Sequence, residues 1–250
     1  MRRGVLVAVA HGSADPRASA TIAELAALAR ERSPGLDLRT AFLGHAPPSL
    51  PQVLSTIDAD REVTVLPLLL TAAYHSKADI PRMLARTRML ARTPGPRVSY
   101  GATLGPHPLL LRALERRLAE ADPSAGQNPG RTAVVLAAAG SSDPQANATI
   151  AQLAAQWQAG TGWLAVRPAY ASAAEPSPAA AVAGLLRAGA PRVVVATYLL
   201  APGLFADRIR QSTVAAGAAA VSPALGACAE VADVLLERFA QTGSTRRTAA

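Results

Sequence analysis

The chain has 250 residues, half of them hydrophobic, with one cysteine and a formal net charge of +8. A single cysteine excludes an intrachain disulfide, a cysteine-ligated cluster and a structural zinc site, so any metal chemistry falls to His, Asp and Glu. The basic residues are scattered and the aromatic content is 4%, which argues against a nucleic-acid binder and for an acidic small molecule, and no apolar run approaches the length of about 20 residues that spans a bilayer.

After Met1-Arg2-Arg3, the run GVLVAVA is too short for a secretory signal and has no small-residue cleavage context, so it reads as a strand in a cytoplasmic protein. This first strand covers residues 4–10, and the turn His11-Gly12-Ser13-Ala14-Asp15-Pro16 follows, with Asp15 and Pro16 as helix start signals. Ile22, Leu25, Ala26 and Leu28 keep helical spacing up to a stop at Ser33-Pro34-Gly35. A strand near 37–43, the loop GHAPPS with His45, and a short helix to residue 58 come next. In LPLLLTAAYHSKADIP, residues 66–81, the unbroken apolar run Leu66–Leu70 predicts a central strand of a parallel sheet covered on both faces. The polar turn Tyr74-His75-Ser76-Lys77 follows it, and Asp79 and Pro81 open a helix to residue 91. A strand near 97–103, the turn LGPHP with His107, and a helix to residue 121 complete the first half.

Residues 122–130, DPSAGQNPG, form a Pro/Gly/Asn-rich linker, after which the pattern starts again. RTAVVLAAAGSSDPQANATIAQLA has the shape of RRGVLVAVAHGSADPRASATIAEL, and RPAYASAAEPSP tracks RTAFLGHAPPSL. Ala139 stands where His11 stood and Ala173 where His45 stood, and both differences (139 − 11 and 173 − 45) equal 128. Further on, TYLLAPGLFADRI answers LPLLLTAAYHSKADI and PALGAC answers ATLGPH. The expected architecture is α/β, with two tandem flavodoxin-like lobes facing each other, each a four-stranded, mainly parallel sheet with helices on both faces. Their expected bounds are 1–121 and 131–240, with a frayed tail over 241–250. Eight βα units also describe a TIM barrel, the second-ranked reading, because a midpoint linker does not suit a barrel.

All four histidines, His11, His45, His75 and His107, lie in the first half, each after the expected carboxyl end of a different strand. In open α/β sheets ligands bind at that edge. The equivalent positions of the second half carry Ala139, Ala173, Phe205 and Cys228, so the scaffold does not need the imidazoles. That makes the second lobe a wall over the site of the first. His11, beside Gly12 and Ser13, and His75, beside Tyr74, Ser76 and Lys77, are the leading candidates; His107 between two prolines also reads as a turn residue. Two imidazoles without cysteines can bind a divalent metal transiently, accept protons, or both. Arg82, Arg86, Arg88 and Arg92 form two i,i+4 pairs, which are either a docking surface for carboxylates or an ordinary solvated face.

Two rival chemistries fail on the residues themselves. Histidine phosphatases place an Arg before the nucleophilic His, whereas Ala10 precedes His11, and Ser13 does not sit in a G-x-S-x-G elbow. AHGSADPRA after the first strand, paired with LLLTAAYHSKADIP after the third, resembles the class II chelatases, the sirohydrochlorin ferrochelatase and cobaltochelatase group, and the resemblance extends over both lobes. It implies ATP-independent insertion of a divalent metal into a tetrapyrrole, in siroheme or cobalamin synthesis, with His11 and His75 as the catalytic and metal-handling pair. Gly12, Ser13, His45, Tyr74, Ser76 and Lys77 are the implied substrate-binding residues. The metal (Fe2+, Co2+ or Ni2+) enters as substrate, no cofactor is expected to stay bound, and one chain that supplies both walls leaves a monomer sufficient. Two positions depart from the family pattern: Gly44-His45 stands where an acidic residue is usual, and Phe205 where the related motif has a His. The alternative from another class is a non-catalytic carrier of tetrapyrrole or metal ion.

Overall fold

The computed structural model describes residues 4–72, 79–90 and 95–248. In chain order the elements are β1 (Val5–Ala10), α1 (Pro16–Arg32), β2 (Asp37–Phe42), α2 (Leu50–Ser55), β3 (Glu62–Pro67), α3 (Ile80–Leu90), β4 (Arg97–Tyr100) and α4 (Pro108–Ala121). They continue with β5 (Thr132–Ala138), α5 (Pro144–Gly160), β6 (Ala165–Tyr170), α6 (Pro178–Arg187), β7 (Arg192–Tyr198), α7 (Leu204–Ala215), β8 (Ala220–Val221) and α8 (Ala229–Thr248). The strands form two parallel sheets of four, ordered β2-β1-β3-β4 and β6-β5-β7-β8, which rules out the barrel.

Every residue of β1 and β5 is buried, as befits inner strands covered on both faces. In the first sheet Val5, Val7 and Val9 pack with Leu50, Val53 and Leu54 of α2 and Ile80 of α3, while α1 and α8 lie together and cover β2 and β3. In the second, Ala133, Val135 and Ala137 pack with Val182 of α6 and Ile209 of α7, while α5 and α4 cover β6, β7 and β8. Helices thus lie on both faces of each sheet, as expected.

The compact units do not follow the expected boundaries. One unit is 1–105 with 227–250, and the other is 106–226. The helix after each edge strand therefore belongs to the other sheet's unit. Leu110, Ala113, Leu114 and Leu118 make α4 apolar along one face, and that face is buried in the unit of β7 and β8. Val231, Ala232, Val234 and Leu235 do the same for α8 in the unit of β3. An arginine pins each helix to a loop of its own unit. Arg117 Nε donates to the Leu225 carbonyl at 2.9 Å, and Arg238 Nε donates to the Thr103 carbonyl at 3.0 Å. Arg32 of α1 grips Asp233 of α8 with two hydrogen bonds of 2.7 and 2.8 Å.

Three further expectations are corrected. The strand placed at 66–70 is Glu62–Pro67, because its register is set by pairing with β1, from Val5↔Val63 to Val9↔Pro67. Apolarity alone pointed too far along the chain, although the strand is central as read. The strand expected over 97–103 ends at Tyr100. The tail expected from 241 continues α8 as helix to Thr248, since its buried amino-terminal half anchors the element.

Candidate functional site at a carboxyl edge

The carboxyl ends of β1 and β2 are joined beyond the strands themselves. Leu43 N–H donates to the Ala10 carbonyl at 3.0 Å and Gly44 N–H to the His11 carbonyl at 3.1 Å, so the ladder runs on into the loops. The two loops come so close that a Cβ built on Gly12 would stand 1.7 Å from the Gly44 oxygen, and Gly12 has φ +88°. Only glycine satisfies both conditions. His11 is exposed at this crossing, with Nδ1 3.2 Å from the Gly12 carbonyl oxygen. A proton on Nδ1 donates there and keeps the lone pair on Nε2.

Behind His11 the turn locks into α1. Ser13 Oγ accepts from Asp15 N–H at 3.1 Å, and Asp15 caps the helix by accepting from Arg17 N–H at 2.9 Å. The Arg17 guanidinium also holds both Asp15 oxygens, at 2.6 to 3.1 Å, and these side-chain bonds, with the Arg17 amide second, lower the Asp15 pKa. Ser13 is therefore engaged as an acceptor in the turn, with its hydroxyl hydrogen still able to be donated.

His45 follows Gly44 on the neighbouring loop, exposed, with φ 61°. Such a conformation in a non-glycine residue marks a loop fixed by its surroundings. Here Phe42 N–H donates to the Pro48 carbonyl at 2.9 Å, Ala46 N–H to the Gly44 carbonyl at 2.8 Å, and Ser49 with Gln52 closes a capping box onto α2.

The second sheet repeats the main backbone features of this edge. Ala171 N–H donates to the Ala138 carbonyl and Ser172 N–H to the Ala139 carbonyl, both at 2.9 Å. Gly140 has φ +84° and its Cβ would stand 1.9 Å from the Ser172 oxygen; Ala173 has φ 57°. Asp143 N–H donates to Ser141 Oγ at 3.0 Å. An alanine at φ 57° shows that the bend at His45 is a property of the scaffold and does not depend on the imidazole.

Tyr74, His75, Ser76 and Lys77 lie outside the described residues, as do Arg92 and the side chain of Arg88. What is described is their framing: β3 is the neighbour of β1, and Ile80 at the start of α3 is fully buried in the core of the first unit. The point where connections from two adjacent parallel strands turn opposite ways is where open α/β sheets bind ligands. Here that point falls between β1 and β3. Arg82 and Arg86 are exposed on α3.

His107 has a local structural role. It is the N-cap of α4, where Nδ1 accepts from Leu109 N–H at 3.2 Å, and it belongs to the other compact unit. His107-Pro108 in the sequence was the signal for a cap. Among the described residues no three His, Cys, Asp or Glu side chains gather to hold a metal ion, and no helix is long and apolar enough to cross a membrane.

With this geometry in hand, a family model described as CbiX matches residues 5–121 and again 133–242, one match for each copy of the repeat. The chain belongs to the CbiX family. This is the class II chelatase family that the paired HGS and YHSK motifs resemble. Among curated proteins, the sirohydrochlorin cobaltochelatase of Priestia megaterium is 27% identical over 205 residues, which is 81% of this chain and 66% of that protein. The sirohydrochlorin ferrochelatase of Bacillus subtilis (strain 168) is 28% identical over 149 residues, 60% of this chain and 55% of that protein. The matches thus span less than two thirds of those relatives' own length. SirB from Bacillus subtilis, solved with Fe3+, superposes with a TM-score of 0.82 over 98% of both chains at 23% identity, which establishes the shared fold.

Proposed function

We propose that this CbiX-family protein is a sirohydrochlorin chelatase that inserts Fe2+ or Co2+ into the tetrapyrrole without ATP, in siroheme or cobalamin biosynthesis. The observation that carries the reading is the asymmetry of the repeat: one backbone built twice, with an imidazole at the switch-point edge in only one copy. The names of the two curated relatives supply the substrate.

In this reading the divalent metal and the free macrocycle are both substrates. Insertion forms four metal–nitrogen bonds and releases two pyrrole protons, so the site must deliver a cation and remove protons. Neutral imidazole can do both near neutral pH, first as a nitrogen ligand and then as a base. His11 and His75 share these tasks, with His75 placed by sequence in the connection that leaves β3. A proton held on His11 Nδ1 by the Gly12 carbonyl would aim Nε2 as the ligand or base. Gly12, Ser13, His45, Tyr74, Ser76 and Lys77 hold the polycarboxylate ring, through hydroxyl, amide and cationic donors. Nitrogen ligands serve iron, cobalt and nickel alike, so supply helps to decide the metal.

The test is anaerobic absorbance of sirohydrochlorin mixed with ferrous or cobaltous ion. The chelatase reading expects conversion of many equivalents per protein, and loss of it in both His11→Ala and His75→Ala. A spectral change that stops at one equivalent identifies a carrier instead. Rates near wild type in both variants would remove the two histidines from the site.

A further inference from the structure

The turns that follow β1 and β5 share a backbone, but they are not fastened alike. In the second unit four side-chain hydrogen bonds close the turn. Asn147, in the first turn of α5, clasps one residue from both sides: its Oδ1 accepts from Ser141 N–H at 3.0 Å, and its Nδ2 donates to the Ser141 carbonyl at 2.7 Å. The Tyr170 hydroxyl donates to the Asn147 carbonyl at 2.9 Å, and Ser172 Oγ donates to the Ala139 carbonyl at 3.0 Å. The turn is thereby tied to α5, and both are tied to the end of β6 and the loop beyond it.

At the spacing of 128 residues that relates the two copies, Asn147 answers to Ser19, Tyr170 to Phe42 and Ser172 to Gly44. None of the three can do what its counterpart does: serine has no amide to clasp Ser13, a phenyl ring has no hydroxyl, and glycine has no side chain. Phe42 and Tyr170 are each 6% exposed, so the ring is equally buried in both copies and only the oxygen is missing. Ser13 N–H and the Ser19 hydroxyl have no partner among the described residues. The first turn keeps the bonds common to both copies, Gly44 N–H to the His11 carbonyl and Asp15 N–H to Ser13 Oγ, and the Arg17 guanidinium secures the helix cap at Asp15. One net hydrogen bond shifts a local opening equilibrium by about two- to tenfold, so without the other four the first turn opens much more easily than the second.

We infer that Ser19, Phe42 and Gly44 are positioning residues that leave the His11 turn unlatched, so that the imidazole shifts during metal transfer. This rests on the chelatase reading and deepens it. A ligand that hands a cation to a second set of nitrogens has to release its own metal bond as the new bonds form, and a base that takes a pyrrole proton acts from a different place. Local opening of a turn on the microsecond-to-millisecond scale supplies that displacement within the time of a typical turnover. The second copy has alanine in place of the imidazole, has no such use for motion, and keeps its latch. Ser19, Phe42 and Gly44 act only through His11.

Nitrogen-15 relaxation dispersion on the full chain reads the latch without any ligand. Exchange on the microsecond-to-millisecond scale is expected at Gly12, Ser13 and Ala14, and none at Gly140, Ser141 and Ser142. The variant Ser19→Asn/Phe42→Tyr/Gly44→Ser gives the first turn the fasteners of the second, and a Cβ on Gly44 meets nothing within 4 Å. It should lose that dispersion and insert cobalt into sirohydrochlorin about tenfold more slowly, with KM and the metal-free Kd for the ring each within a factor of about two of wild type. A merely structural role would not lower kcat in a variant that gains hydrogen bonds and holds or raises its Tm. The converse variant, Asn147→Ser/Tyr170→Phe/Ser172→Gly, should gain dispersion over 140–142 and keep the wild-type kcat. Equal relaxation at the two turns of the wild-type protein would overturn the inference, as would a relatched variant that loses its dispersion and still metallates at the wild-type rate. Wild-type protein that does not metallate sirohydrochlorin would overturn the chelatase reading and the use of the motion with it, while the relaxation contrast would still decide whether the turn is unlatched.

Discussion

At the carboxyl edge of the first sheet the His11 carbonyl accepts from Gly44 N–H at 3.1 Å; at that of the second, the Ala139 carbonyl accepts from Ser172 N–H at 2.9 Å. Gly12 and Gly140 share a positive φ and the same forbidden Cβ, and His45 and Ala173 share a left-handed bend. The backbones match to this level while the side chains do not. The comparison teaches which features of the edge are architecture and which are chemistry. Glycine at the crossing and the serine–aspartate turn are architecture, because both copies keep them. The imidazoles of His11 and His45 are not architecture, because the second copy builds the same edge with alanine, and under the proposed function they carry the chemistry.

The comparison can be broken most sharply at the crossing. Gly12→Ala and Gly140→Ala each force a methyl group against a carbonyl, so each should cost about 1–3 kcal/mol of stability, read as a lowered denaturation midpoint. Only Gly12→Ala should also depress metal insertion, by about 100-fold, because it displaces the loop that holds His11. Equal activity losses in the two variants would mean that the second edge is also chemically armed. A smaller effect is expected at the bend. His45→Ala gives the first edge the residue the second already tolerates at φ 57°, so stability should hold, while KM for the tetrapyrrole should rise about fivefold, the worth of one hydrogen bond.

The exchanged helices offer a milder comparison. Arg117→Ala and Arg238→Ala each remove a guanidinium that donates to backbone carbonyls. Each should lower stability by about 1–3 kcal/mol, to a similar extent in the two units, as measured by urea unfolding. The smallest effect is at Asp15, whose pKa is lowered by Arg17. A carboxyl with a depressed folded-state pKa adds stability above its unfolded pKa and loses it as pH falls through the folded value. Asp15→Asn should therefore flatten the acid limb of the stability profile below about pH 4 and change little at neutrality. At the alkaline end, burial raises Tyr100 to about 12 and also raises Tyr170 and Tyr198. Raised values add stability that is present below the unfolded pKa and lost as pH climbs through the folded one, so tyrosinate absorbance should develop late, near unfolding.

Much of this was legible in the residues. The unalternated apolar run Val5–Ala10, the Asp15-Pro16 helix start and the repeated HGS/AGS turns gave the parallel sheets, the first helix and the duplication, because each is a local signal. The helix exchange was not legible. Leu110, Ala113, Leu114 and Leu118 show that α4 has an apolar face, but nothing in that spacing says which of two similar sheets it covers. The span of β3 was misread because its register depends on β1, while Leu68–Leu70 are as apolar as the strand itself. Of the candidate site, His11 was singled out from its neighbours, and Gly12 beside it suggests close backbone approach, whereas the partner in that approach, the Gly44 carbonyl far along the chain, is set by the pairing of β1 and β2. His107 was grouped with the other histidines by strand order, yet its cap on α4 is a contact that order does not encode.

The most direct measurement exchanges the residue that separates the two edges. His11→Ala gives the first edge the alanine of the second, and the double variant His11→Ala/Ala139→His moves the imidazole to the other copy; anaerobic initial rates of cobalt insertion into sirohydrochlorin are compared with wild type. The expected result is a fall of about 100-fold or more in the single variant, with no recovery in the double variant. A single variant that keeps the wild-type rate would contradict the claim that the first edge does the chemistry.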